Sequence, residues 1–202
     1  MKKDVQQAIE RETWSVANAY ARTMNAILFN QKRMGEIAGF RSTSPQSLFL
    51  KIHGGPITFQ HTVESCDGNG GGCAAETMSK NLIVLYSNVS ERYFLNHSRV
   101  IVHELGHAFN NAVGKTAQII PFELLRPISE NNEIVRWDPI EAYFGYAGDF
   151  NDWQFGVSGH RGSEEFADMF VGWVYGKWGT TDRAKDRSQF MNPHMRGLLG
   201  NW

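Results

Sequence analysis

Apolar residues recur at helical spacing near the start of the chain. Val5, Ile9, Val16, Tyr20, Met24 and Ile27 follow one another at intervals of four, seven, four, four and three. That draws a single apolar stripe and predicts a helix over residues 4–34. No proline interrupts the run, and Gly35 and Gly39 stand as stop signals. The pattern then changes. Ser47 to Ile52 is short and apolar and is closed by His53-Gly54-Gly55-Pro56, which predicts a strand. Ile57 to Val63 alternates as a half-buried strand does, and Asn81 to Tyr86 reads as a buried strand. Between them lies a glycine-rich loop at 67–72. Helical spacing returns after Ser98, which stands at the N-cap position of the next helix. Residues 114–163 have weak periodicity and are rich in Gly, Asp, Asn and aromatics. Ser163 is a second candidate cap, opening a helix that runs to about Tyr175, and the tail RSQFMNPHMRGLLGNW holds one more short helix. These elements predict an α+β fold in a single domain, 1–202. It comprises an N-terminal helix (1–35), a small sheet of about three strands or more plus a helix (36–113), and a helical part (114–202).

Composition narrows the classes. With 42% hydrophobic and 20% charged residues, the 202-residue chain is globular rather than disordered. Its 20 basic and 21 acidic side chains leave a net charge of -1, so no basic excess points to nucleic acid or an anionic membrane. No apolar run is long enough to span a bilayer. The start, MKKDVQQAIERETW, has no apolar stretch after its lysines. That fits a cytoplasmic protein best, and also a chain trimmed of its signal or one module of a larger chain. Cys66 and Cys73 flank the glycine loop, either as a disulfide or as two reduced thiols. Asp67-Gly68-Asn69-Gly70 lacks the ligand spacing and terminal glutamate of a calcium loop and is read as a turn.

The chemistry is concentrated in His103-Glu104-Leu105-Gly106-His107. Histidines four apart on a helix share a face, one turn apart, so both neutral imidazoles can reach one Zn2+ ion. Glu104, about 100° further round, borders the same site without ligating. It is placed to take a proton from an attacking water and pass it to a leaving amine. Ile101, Leu105, Ala108, Phe109 and Ala112 form the opposite, core-facing side. Gly106 leaves room for another segment to approach. His53, His61, His97 and His194 have no ligand-like spacing.

A catalytic zinc needs a third protein ligand. The metzincin pattern would place glycine at 110 and histidine at 113, where this chain has Asn110 and Val113. Of the glutamates that follow, Glu123, Glu130, Glu133, Glu141, Glu164 and Glu165, only Glu164 has an acidic residue four positions on, Asp168. The spacing suits a ligand at Glu164 with Asp168 accepting the far N–H of a ligand histidine. Glu165 lies off that face and is the alternative. The helix has its apolar stripe, Phe166, Met169, Phe170, Trp173 and Val174, on the other side.

HELGH followed by a helix with Glu164-Glu165-Phe166-Ala167-Asp168 resembles the gluzincin class of zinc metallopeptidases. The resemblance covers about residues 80–180 through two short motifs. The ExxAD form is also similar to lethal-factor-like toxin peptidases. It implies a zincin-like fold, His103, His107 and Glu164 as zinc ligands, Glu104 as general base, Asp168 behind a histidine, and a peptide or protein substrate. Tyr143, Tyr146 and His160 are candidate oxyanion donors. The aromatics between Trp137 and Phe155 read either as a lid over the cleft or as ordinary packing. A second reading is a zincin-like binding or effector module with a narrow target or no activity. The intact Glu104 argues against a purely structural site. Oligomeric state is left open.

Overall fold

The computed structural model describes residues 1–39, 41–62, 75–86, 98–114, 129–130, 133–134, 161–178 and 182–202. Among them the fold is α+β, with five helices and a small mixed sheet. The helices are α1 (Lys3–Arg33), α2 (Pro45–His53), α3 (Arg99–Ala112), α4 (Arg161–Tyr175) and α5 (Asp182–Leu199). The strands are β1 (Thr58–Thr62), β2 (Ala75–Ser79) and β3 (Leu82–Tyr86), in the order β1-β3-β2. β3 is central, parallel to β1 and antiparallel to β2. A two-residue ribbon pairs Ser129–Glu130 with Glu133–Ile134. No helix among the described residues is long and apolar enough to cross a membrane.

α1 buries Val5, Ile9, Val16, Tyr20 and Met24, and Gly35 ends its C-terminal turn at φ 79°. Only glycine adopts that conformation at no steric cost. The segment from Ser47 to Ile52 is a helix, not the strand its apolar run predicts. Local chemistry decides this. The Ser44 hydroxyl accepts from the Ser47 N–H, Pro45 occupies the first turn, and Gly54 closes the end in the left-handed region at φ 71°. Leu48, Phe49, Ile52 and His53 then fall on the buried face. The tail also differs, since α5 is a helix of 18 residues with Pro193 inside it. Arg187, Met191, Met195 and Leu199, each four apart, face the core. Pro193 lies on the exposed side, where the carbonyl it leaves without a donor can meet water.

The core gathers around Tyr20, which is fully buried. Its ring contacts Phe49 of α2, Phe109 of α3, and Phe170 and Trp173 of α4, with centroid distances of 5.3 to 6.2 Å. Each large apolar side chain fully removed from water contributes about 1.5–3 kcal/mol, so this cluster holds four helices together. A buried polar knot reinforces it. Glu12 of α1 accepts from Ser98 Oγ at 2.8 Å, from Arg11 Nε at 2.9 Å and from the Tyr175 phenol. Ser98 therefore spends its hydroxyl on Glu12 and makes no side-chain cap on α3. Burial, and then donation to Glu12, push the Tyr175 phenol well above its ordinary range.

His53 is the second buried polar junction. Its Nδ1–H donates to the Lys80 carbonyl at 2.9 Å, and Nε2 accepts from the Tyr20 hydroxyl at 3.3 Å. Burial holds its pKa down from 6.5 to about 4. The unfolded chain thus takes up a proton below pH 6.5 that the folded chain refuses until about pH 4. Stability is lost as pH falls through that window, by about 3 kcal/mol, and levels off below it. Denaturant titrations at pH 7 and pH 4.5 are expected to show a smaller drop in His53→Gln than in wild type. An equal drop would exclude His53 as the source.

Candidate metal centre

α3 carries His103 and His107 one turn apart, and α4 lies against it. The crossing is close because position 106 has no side chain. A Cβ there would sit 3.1 Å from the Ala167 Cα and 3.1 Å from the Phe170 Cβ. Both are tighter than ordinary contact, and one is backbone, so a larger residue must push the helices apart. Below the crossing, Phe109, Phe166 and Phe170 stack with centroids 5.6 to 6.3 Å apart. Above it, α4 presents polar side chains to the two histidines.

Asp168 is one of them. The His103 Nδ1–H donates to Asp168 Oδ1 at 2.8 Å, with both side chains mostly buried. A carboxylate has no proton to give, so this bond fixes the proton on Nδ1 and leaves a lone pair on Nε2. His107 Nδ1 meets Ser163 Oγ at 3.0 Å. Ser163 therefore lies inside α4, which begins at Arg161, and contacts His107 instead of capping the helix from outside. The two Nε2 atoms converge to 3.1 Å, and the rings stand at 80° to each other. Two nitrogens bound to one tetrahedral zinc at 2.0–2.1 Å lie about 3.3 Å apart. The histidine pair, each ring oriented from behind, fits a zinc ion on that measure.

Glu104, the residue after His103 on α3, is buried at 6% exposure. Its Oε2 accepts from the Thr77 hydroxyl of β2 at 2.7 Å. Glu164 lies on α4, one turn before Asp168, but its side chain is outside those described. Among the described residues no group of three or more His, Cys, Asp or Glu side chains is placed to hold a metal. Glu165, the alternative ligand, points elsewhere: its carboxylate is 4% exposed and accepts from Arg187 Nε of α5. Tyr143, Tyr146, His160, Cys66, Cys73, the 67–70 turn and the 137–155 aromatics all lie outside the described residues.

Thr77 was not visible to sequence reasoning, because β2 reads Ala-Glu-Thr-Met-Ser and carries no apolar alternation. Arg187 gave a faint signal, a cation four residues before Met191 on the same stripe. No protein-family model, curated protein or solved structure matches this chain.

Two stability outcomes follow. Gly106→Val is expected to lower unfolding free energy by about 1–3 kcal/mol, because the added methyls meet the Ala167 backbone. Chemical denaturation checks this, and an unchanged midpoint would mean that the helices are not held at this crossing. Glu165→Gln removes a buried counter-ion of Arg187 and is expected to lower unfolding free energy by up to about 3–5 kcal/mol with zinc content unaltered. Loss of zinc with stability intact would return Glu165 to the ligand set.

Proposed function

We propose that this chain is a zinc-dependent peptidase of zincin-like architecture, of the gluzincin type, with His103, His107 and Glu164 as the metal ligands. The observation that carries the reading is the convergence of the two Nε2 atoms at 3.1 Å on a helix where Glu104 stands between them in sequence. Bound there, zinc supplies Lewis acidity, which polarises a peptide carbonyl and acidifies water.

The chain's own groups do the rest. Asp168 keeps the His103 proton on Nδ1, so that Nε2 stays a donor of electrons toward the metal position. Ser163 orients His107 from the other side. Glu104 accepts the proton of the attacking water and delivers it to the leaving amine nitrogen. Its side chain is almost wholly buried and is held by the Thr77 hydroxyl. A purely structural metal site has no use for such a base, which favours the peptidase over a binding module.

Hydrolysis of denatured casein by the zinc-loaded protein, wild type against Glu104→Gln, tests this. The variant is expected to keep its zinc and lose about 10²–10⁴-fold in kcat. Equal rates in the two proteins, or no cleavage by wild type of casein or of a proteome-derived peptide library, would contradict it.

A further inference from the structure

Glu104 is not the only part of its surroundings built to a purpose. Thr77 Oγ1 stands 2.7 Å from Glu104 Oε2 and 2.9 Å from the carbonyl oxygen of the same residue. A hydroxyl has one proton for these two acceptors. The carbonyl belongs to α3, where the backbone N–H four residues on serves it. The carboxylate is the nearer and the charged acceptor, and charge-assisted bonds are the stronger. The proton therefore goes to Oε2.

The pleat of β2 faces Thr77 toward α3: Ala75 is buried, Glu76 and Met78 are exposed, and Thr77 lies between them on the inner side. Thr77 pairs with Ile83, but Ser79 pairs with Leu82, so the register slips by one residue between Thr77 and Ser79. A bulge of this kind bends a strand and re-aims the side chains beside it. The slip begins after Thr77, which keeps its regular partner Ile83 and bonds Glu104 across to α3. A free Glu side chain has three rotatable bonds, and ordering it costs about 1.5–2 kcal/mol of rotamer entropy. A pre-formed bond to a rigid strand lowers that cost at the moment the carboxylate is needed.

We propose that Thr77 is the positioning residue for Glu104: its hydroxyl, presented by the inner face of β2, holds the carboxylate in one rotamer on the helix that carries the two histidines. What that carboxylate does rests on the peptidase reading above. The role is one of placement, since Thr77 is argued to act only through Glu104.

The test has two arms. In metal-free protein, denaturation midpoints are measured for Thr77→Val, Glu104→Leu and the double variant. The bond predicts that the two single shifts do not add, the double variant falling by less than their sum. In zinc-loaded protein, Thr77→Val is expected to keep its zinc and its KM while kcat falls about 10–100-fold, and Thr77→Ser, which retains the hydroxyl, is expected to recover most of it. Additive midpoints, or a Thr77→Val kcat equal to wild type, would overturn the proposal. A fall in kcat that Thr77→Ser does not rescue would also overturn it, by making the effect one of strand packing. A wild-type protein that binds zinc and cleaves nothing contradicts the peptidase reading instead, and the metal-free arm still decides whether Thr77 holds Glu104.

Discussion

The approach of α3 to α4 at Gly106 sets the geometry of everything around the two histidines. With no side chain at 106, the Ala167 backbone and Phe170 come within van der Waals range of the helix that carries His103 and His107. That distance places Asp168 within 2.8 Å of His103 and Ser163 within 3.0 Å of His107. A Cβ at 106 would widen the gap by a few tenths of an ångström. Such a shift would lengthen both hydrogen bonds toward the outer end of their normal range. The glycine is thus part of the site although it carries no reactive group.

Two further junctions keep that crossing in place. Glu12 ties α1 to the start of α3 through Ser98 and to the end of α4 through Tyr175. Glu165 and Arg187 clamp α4 to α5 on the far side. Both carboxylates are almost wholly buried, where an ionised group is tolerated only with partners. Each is bonded, and each joins elements far apart in sequence. Around them the Tyr20 aromatic cluster joins α1, α2, α3 and α4. The α3–α4 crossing is therefore braced at one end by Glu12 and on its outer face by Arg187, with the aromatic core between.

Sequence reasoning reached the parts whose signal is local. The α1 stripe, the β3 run and the HELGH helix all follow from periodicity and appear where the spacing puts them. The apolar run at Ser47–Ile52 misled because its length suits a strand, while Ser44, Pro45 and Gly54 carry stronger helical boundary information. Pro193 concealed the length of α5, since a proline inside a helix usually signals its end. At the site, His103, His107 and Asp168 were legible through i,i+4 spacing, and the structure brings these three together. Thr77 and Ser163 were not legible in those roles. Their contacts cross from one element to another, and a lone hydroxyl in a sequence does not announce its partner.

Two histidines of α3 and one carboxylate of α4 are proposed to hold a single zinc ion. Diffraction from zinc-loaded crystals, collected on both sides of the zinc absorption edge, tests it most directly. One anomalous peak per chain is expected, at about 2.0–2.1 Å from the Nε2 atoms of His103 and His107 and about 2.0–2.2 Å from a Glu164 oxygen. A peak at other side chains, or none at the histidine pair in protein soaked with excess zinc, would contradict it.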